Sequence, residues 1–361
     1  LYIYIDFQKA FDCVVHSKLL HKLSAYGIAD NLLNRISSFL SNRSQSVRVG
    51  NSYSDFVPVT SGVPQGSVVG RLLFLIYIND IADLFGTDLT VKLFADDVKM
   101  YVNISDISNV NLLQEGLFSL SRWARDWQLN ISIKKCAVLH LGKNNLLYDY
   151  AIDGSALPSV REIRDLGVKV DSRLCFSAHY AEIAAKAHQR AGLIIRCFKS
   201  RDPRILFRAF TVYVRPIIEY CSPVWSPVYK KDIIKLEAVQ RRFTKKLKGL
   251  STLTYAERLV KLNADTLELR RLKQDLLTMY KVFHGLIVLN ISEFFELNHV
   301  HTRGHTLKVI KPSCINNARA FSFACRRIDC WNSLPADILT MSLSLFKVKL
   351  NYINFSKYLF I

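Results

Sequence analysis

Asp6, Asp96 and Asp97 are the residues of this chain best placed for chemistry. Asp6 closes the alternating Tyr/Ile run that opens the sequence. Asp96 and Asp97 sit between Thr90–Phe94 and Val98–Val102, two further runs that read as strands. Carboxylates at the ends of β-branched, aromatic strands are costly to hold unless a cation meets them. Three of them converging from neighbouring strands would suit two divalent ions about 4 Å apart, clamping the attacking and leaving oxygens of a phosphoryl transfer. The alternative for the Asp-Asp doublet is a plain hairpin turn, which Asp favours. Between the two clusters lies Ser61-Gly62-Val63-Pro64-Gln65-Gly66-Ser67. Its glycines permit positive φ and close backbone approach, and the Gln65 amide both donates and accepts. A helix starting directly after this loop offers amides to an anion such as a triphosphate.

The elements that must position these groups follow from periodicity. Residues 1–7 read as a strand, followed by a helix to about Ala25 that Gly27 stops. Asp30 is expected to cap a helix over Asn31–Leu40. Ser46–Val49 and Phe56–Val59 form a hairpin around Gly50-Asn51. The loop at 61–67 feeds a helix to about Leu84. The Asp96-Asp97 hairpin, a helix over 107–128 and a strand at Ala137–Leu141 come next. Helices and hairpins alternate irregularly, which is an α+β pattern and not a doubly wound one. From about Phe176 the spacing turns helical, over His179–Phe198, Ile205–Tyr220, Lys230–Leu250 and Thr266–Leu289. The domain division is therefore expected at the Asp171-Ser172 turn, giving 1–172 and 173–361.

The chain has 361 residues, half of them apolar, with 49 basic against 30 acidic residues and a net charge of +19. That excludes a disordered tail and points to a polyanionic partner, with nucleic acid first. No stretch approaches 18 consecutive apolar residues, so no membrane span is expected. The eight cysteines include no CxxC pair, which argues against a zinc ribbon or a disulfide framework and for buried thiols in a reducing compartment. His299, His301 and His305 cluster without partners at ligand spacing. On the segment Lys230–Leu250, Arg241, Arg242, Lys245, Lys246 and Lys248 fall within about 160° of arc at 100° per residue. Leu236, Val239, Phe243, Leu247 and Leu250 take the opposite side. Five cations without interleaved acids repel one another on a solvated face and are more comfortable beside phosphates.

With these residues in view, the chain resembles the reverse transcriptases. Tyr4-Ile5-Asp6-Phe7-Gln8-Lys9-Ala10-Phe11-Asp12, Gly62-Val63-Pro64-Gln65-Gly66-Ser67 and Phe94-Ala95-Asp96-Asp97 look like their palm motifs, in order. Leu73-Phe74, Tyr77-Ile78-Asn79-Asp80-Ile81, Lys135-Cys136 after Trp127, and Asp165-Leu166-Gly167-Val168 are similar to non-LTR (LINE-type, jockey/CR-like) retrotransposon polymerases. Arg303-Gly304-His305 and Trp331-Asn332-Ser333-Leu334-Pro335 extend the likeness along the chain.

The resemblance implies a fold and a set of roles. The fold would be a palm, an antiparallel sheet packed on helices, followed by a mainly helical thumb and C-terminal region. Asp6 and Asp96, with Asp97 adjacent and less critical, would bind two Mg2+ ions, Mn2+ being the alternative. Phe7 would lend a backbone carbonyl, Phe11 would lie under the nucleotide sugar, and Gln65 and Gly66 would line the nucleotide pocket. For Phe11, ordinary core packing is the alternative. Lys135 would serve the leaving pyrophosphate, and Leu166-Gly167 would grip the primer end. The substrates implied are an RNA template, a DNA primer and deoxynucleoside triphosphates. The place of action implied is intracellular, in the nucleus, where similar elements integrate.

Two departures stand out. Arg71 replaces the usual Pro and is expected to perturb the start of its helix, and Ser132 replaces a frequent Asn. The opening on Leu1, inside a strand, leads to the expectation that the fingers and an endonuclease domain lay upstream. A fingerless, inactive remnant that only binds nucleic acid is accordingly the competing reading.

Overall fold

Alternation in the first strand, Tyr2–Ile5, sets the architecture of the N-terminal half. Ile3 and Ile5 are buried, while Tyr2 and Tyr4 face the other way. With one apolar side and two hydrogen-bonding edges, the strand is suited to the middle of a sheet. It pairs antiparallel with Asp97–Tyr101 on one side and Ala137–Leu139 on the other. The five-stranded sheet runs Ser159–Val160, Ala137–Leu139, Tyr2–Ile5, Asp97–Tyr101, Thr90–Phe94, and only the pairing of the first two is parallel. The structure is a computed structural model that describes residues 1–142, 145–298 and 305–361.

Helices His16–Ala25, Val68–Ile78 and Ile107–Asp126 close the apolar side of this sheet. They contribute Leu19 and Leu23, then Leu73, Phe74 and Tyr77, then Leu113, Leu117 and Leu120 to one core with Ile3, Ile5, Val98 and Met100. A lysine is sealed into its edge. The Lys22 ammonium lies 3.5 Å from the centre of the Trp127 ring and bonds Asp80 at 2.8 Å. Burial lowers its pKa, and the paired carboxylate works against that shift.

Most sequence expectations for this half hold, with local corrections. Gly27 stops its helix at φ +84. Asp30 is the first residue of helix Asp30–Leu40, itself at φ +51, and makes no capping bond, so the cap expected from its side chain is absent. The hairpin around Gly50-Asn51 is two short ladders, Arg48–Val49 with Ser52–Tyr53 and Ser44–Gln45 with Val57–Pro58. Arg71 does not disturb its helix. It lies exposed in the first turn, where an arginine has good helix propensity, behind a Ser67 cap.

The chain divides into Leu1–Ile163 and Arg164–Ile361, earlier than the Asp171-Ser172 turn that periodicity suggests. Bonds to the following helices explain the shift. In the hairpin of Glu162–Asp165 and Val168–Asp171, the Lys169 amide donates to His179 Nδ1 at 3.2 Å. Arg164 grips Glu182 through two bonds of 2.5 and 2.6 Å, and the Tyr220 hydroxyl donates to the Leu166 carbonyl at 3.0 Å. Side-chain hydrogen bonds from Lys186 and then Arg164 pull the Glu182 carboxyl down to about 2.

Helices Ser177–Cys197, Pro203–Tyr213, Lys230–Lys245 and Leu267–Phe283 dominate the second unit. Of the last 60 residues, which periodicity leaves unassigned, those described from His305 on fold mainly as short helices around Trp331, whose indole N–H donates to the Leu307 carbonyl at 2.7 Å. His305 is buried and its Nε2 bonds the Trp331 carbonyl at 3.1 Å. His299, His301, Arg303 and Gly304 lie outside the described residues.

Buried His179, packed 5.2 Å from the Trp225 ring, gives this unit an acid sensitivity. Burial lowers its pKa from 6.5. The neutral ring therefore contributes stability that is fully present above 6.5 and is lost as the pH falls from there through the lower folded value. Thermal melts at decreasing pH should show the second unit weakening over that window. A His179→Gln variant should melt with a flatter profile, and an unchanged slope would remove His179 as the cause.

Candidate active site

The register that builds the sheet also gathers the carboxylates. Ile5 pairs with Val98 as the last pair of that ladder, so Asp6 follows it directly on one strand and Asp97 directly precedes it on the other. Phe94 pairs with Asp97 across a two-residue turn of Ala95 and Asp96. Ala95 holds φ +52, a left-handed conformation that costs a residue with a β-carbon roughly 1–2 kcal/mol. Strain of this kind concentrates at functional sites.

Asp6 is held from its other side by residues 130–136. The Gln8 amide donates to the Asn130 carbonyl at 2.7 Å, Phe7 bridges Ile131, and the Ser132 amide donates to the Asp6 carbonyl at 2.8 Å. The Ser132 carbonyl then accepts from Lys135 at 2.9 Å and Cys136 at 3.1 Å, closing a tight turn. That turn delivers the Lys135 ammonium to within 3.2 Å of Asp6 Oδ1. Ser132 does this through its backbone, so the Asn usual there is not needed for the turn. The neighbouring Cys136 thiol is buried, and burial raises its pKa.

Phe7 has its ring in the core, 6.2 Å from Trp123, so only its backbone faces the site. Phe11 is half-buried and stacks on Phe74 with ring centres 4.0 Å apart. Its ring is thus fixed in orientation with one part exposed.

The loop at 61–67 is stitched to the segment after Asp6. The Gly62 amide donates to the Val14 carbonyl at 2.8 Å and the Val63 amide to the Phe11 carbonyl at 2.9 Å. A β-carbon on Gly62, at φ +85, would lie 2.8 Å from the Asp12 backbone, so glycine is required there. Gly70 is equally constrained, because a β-carbon would meet the Pro64 carbonyl oxygen at 2.4 Å. It lets helix Val68–Ile78 start flush against the loop, with its own amide bonded to Ser67 Oγ at 2.9 Å.

Gln65 is exposed and donates to Asp12 Oδ1 at 2.8 Å; Gly66 next to it has open space above its Cα. Asp12, Arg43, Ser61, Gly62, Pro64 and Gln65 line part of a cleft of about 450 Å³. Arg43 spans its wall, donating to the Leu40 and Gly62 carbonyls, both at 3.0 Å. Motif reading passes over Asp12 and Arg43 as site residues. The only sequence signal for Asp12 is its place at the end of the first motif, and for Arg43 there is none.

The metal expectation meets a partial answer. Among the described residues no three His, Cys, Asp or Glu side chains gather closely enough to hold an ion by themselves. Asp6, Asp96 and Asp97, the cluster anticipated from sequence, do not make up such a group. Asp6 follows the paired Ile5 and Asp97 precedes the paired Val98, while Asp96 belongs to the turn. The donor set still fits Mg2+, a hard ion that is usually bound by one or two carboxylates and completed by water and substrate phosphates.

The remaining candidates lie in the second unit. Leu166 and Gly167 form the tip of its hairpin at φ +44 and +87. Arg241, Arg242, Lys245, Lys246 and Lys248 are all exposed, and Leu236, Val239, Phe243, Leu247 and Leu250 are all buried. The two faces are as periodicity predicts, but the helix stops at Lys245. Lys246 and Lys248 continue the basic surface from the turns that follow. The Arg241 guanidinium lies 5.0 Å from the Tyr255 ring centre, which orients it. No described helix is long and apolar enough to cross a membrane.

Comparison with known proteins agrees with the motifs. Residues 1–170 match the family model of reverse transcriptase (RNA-dependent DNA polymerase). The chain is 25% identical over 257 residues to the RNA-directed DNA polymerase from mobile element jockey of Drosophila melanogaster, covering 68% of this chain and 28% of that protein. The Drosophila funebris jockey polymerase is 27% identical over 259 residues, with the same coverages of 68% and 28%. So is the probable RNA-directed DNA polymerase from transposon X-element of Drosophila melanogaster, at 27% over 259 residues, 68% and 28%. The chain thus spans about 28% of the length of the curated relatives it matches. Among solved structures, apo telomerase from Candida tropicalis aligns at TM-score 0.40 and 11% identity, over 76% of this chain and 44% of that one. Telomerase from Candida albicans with a fragment of telomeric RNA aligns at TM-score 0.35 and 12% identity, over 80% and 51%.

Proposed function

We propose that this chain, whose residues 1–170 match the reverse transcriptase family model, supplies the nucleotidyl-transfer centre of an RNA-directed DNA polymerase of a non-LTR retrotransposon. It would extend a DNA primer with deoxynucleoside triphosphates on an RNA template. The observation that carries the reading is the pairing of Tyr2–Ile5 with Asp97–Tyr101, which puts the strand end that leads into Asp6 on the strand next to the Asp96-Asp97 turn, with the Lys135 ammonium 3.2 Å from Asp6.

Phosphoryl transfer asks little covalent chemistry of a protein; positioning and charge neutralisation dominate. Asp6 and Asp96, with Asp97 beside them, would hold two Mg2+ or Mn2+ ions, which when bound neutralise the attacking and leaving oxygens. The chain's own work is then positional. The Phe11 ring, stiffened by Phe74, would lie beneath the sugar and exclude a 2′-hydroxyl by contact. Gln65 and Gly66 would line the nucleotide pocket, where the open space above Gly66 lets a base approach the backbone. The Lys135 ammonium would face the leaving pyrophosphate. Leu166-Gly167 would grip the primer terminus.

Primer extension on an RNA template with Mg2+ tests this reading. Template-dependent incorporation of deoxynucleotides is expected. Duplex binding without any extension would favour the competing reading of an inactive remnant.

The basic surface of Arg241, Arg242, Lys245, Lys246 and Lys248 should supply affinity without sequence preference. Each charge that touches a phosphate contributes up to about 0.9 to the log–log slope of affinity against salt. The double variant Arg241→Gln, Lys245→Gln should therefore flatten that slope by up to about 1.8 units in filter-binding or anisotropy titrations. An unaltered slope would return these residues to a solvated face.

A further inference from the structure

We propose that Lys135 is the resident cation of the Asp6 carboxylate, displaced when a divalent ion arrives, so that metal binding releases its ammonium into the site. The inference rests on the metal-binding reading of Asp6 given above.

Several observations converge on it. The Lys135 ammonium and Asp6 Oδ1 lie 3.2 Å apart although the residues are 129 positions apart in sequence. The pair is not a chance meeting of two long side chains. The turn that carries Lys135 is bonded to the backbone of Asp6 itself, through the Ser132 amide at 2.8 Å, and to the adjoining strand end at Gln8 and Phe7. The base of the lysine side chain is thereby fixed relative to the carboxylate, and only its flexible stem moves. Asp6 keeps 31% of its side-chain surface exposed and Lys135 64%, so water and ions reach both. A hard divalent ion takes carboxylate oxygen at about 2.0–2.1 Å. An ammonium bonded to the same oxygen would sit beside two positive charges, and it carries no acceptor of its own with which to stay bound. Repulsion between the ion and the ammonium on one carboxylate drives the lysine to swing away, within reach of a stem that remains anchored at the site.

Substitution separates displacement from a general field effect. Lys134, exposed and adjacent, carries the same charge and serves as the control. Mn2+ binding to the full 361-residue chain, without nucleotide, would be followed by electron paramagnetic resonance of the free ion. Lys135→Gln should tighten Mn2+ by about two- to fivefold, the range expected when an exposed ion pair no longer competes. Lys134→Gln should change it by less than about 1.5-fold at physiological salt, and Lys135→Arg should stay near wild type. As a second readout, amine acylation mapped by mass spectrometry should rise at Lys135 on saturation with Mn2+ and stay level at Lys134.

Equal tightening in both Gln variants, or no change in Lys135→Gln, would overturn displacement while leaving the metal site intact. If Asp6→Asn binds Mn2+ as well as wild type does, the metal-binding reading itself fails, and displacement with it.

Discussion

Asp6→Asn should lower RNA-templated primer extension by about 10³-fold or more while leaving affinity for a template–primer duplex almost unchanged. The substitution keeps the size and shape of the side chain and removes only the charge. It leaves the strand intact, because Ile3 and Ile5 do the packing and the backbone bonds of residues 6–8 to 130–132 do not involve the carboxylate. What is lost is the hard anionic oxygen that a divalent ion requires. Duplex affinity should survive because the exposed cations Arg241, Arg242, Lys245, Lys246 and Lys248 lie in the other unit. Asp96→Asn is expected to match this loss and Asp97→Asn to cost less. That ranking comes from the motif, while the strand register favours Asp97, so the three variants side by side decide between them. Extension within tenfold of wild type for Asp6→Asn would end the polymerase reading.

The legible parts of this site were those written as local pattern. The Tyr/Ile alternation before Asp6 defines a strand whose register then follows from burying Ile3 and Ile5. The glycines of the 61–67 loop announce close approach, and at Gly62 the approach is to the Asp12 backbone. Periodicity separates the cationic and apolar faces around helix Lys230–Lys245 even beyond the residue where that helix ends. Partnerships between distant segments were not legible. Nothing around Arg43 says that it will bond the carbonyl of Gly62, and nothing around Lys135 says that its turn will be tied to Asp6.

The same limit explains the largest surprise, the charged interior of the second unit. Spacing rules assign Asp, Glu and Arg to solvent, and they are rarely buried unless paired. Here Glu237 is fully buried and accepts from the Leu267 amide at 3.0 Å and the Glu268 amide at 3.2 Å, serving the start of helix Leu267–Phe283 from a neighbouring helix. A carboxylate at a helix N-terminus meets unsatisfied amides and the positive end of the dipole. The hydroxyl of Tyr255 also donates to Glu237, and burial, then this carboxylate, raises the tyrosine pKa. No residue in that arrangement betrays its partner from sequence.

Asp275 is the member of this interior whose removal should cost most. Its side chain is fully buried and accepts from Arg326 Nη2 at 2.7 Å, Arg326 Nε at 3.0 Å and Arg327 Nε at 3.2 Å. Arg326 is almost as deeply buried, at 4% exposure, and also donates to the Pro223 carbonyl at 2.6 Å. Asp275→Asn preserves the shape but leaves two guanidinium groups in the interior with no countercharge. Breaking one side of a buried pair costs about 3–5 kcal/mol, more than the pair itself is worth, because the surviving charge has lost its compensation. The loss should be read by hydrogen exchange over helix Leu267–Phe283, since the two units need not unfold together. Protection there should collapse toward that of surface turns while exchange over Ile107–Asp126 stays unchanged. The combined variant Asp275→Leu, Arg326→Met, Arg327→Met should recover more than half of the lost protection. Full recovery is not expected, because the Pro223 carbonyl would then lack its donor. A loss below about 1 kcal/mol in Asp275→Asn would place this pair in the range of exposed ion pairs. Water would then reach Arg326, and the cohesion of the second unit would rest on the apolar packing around Trp331.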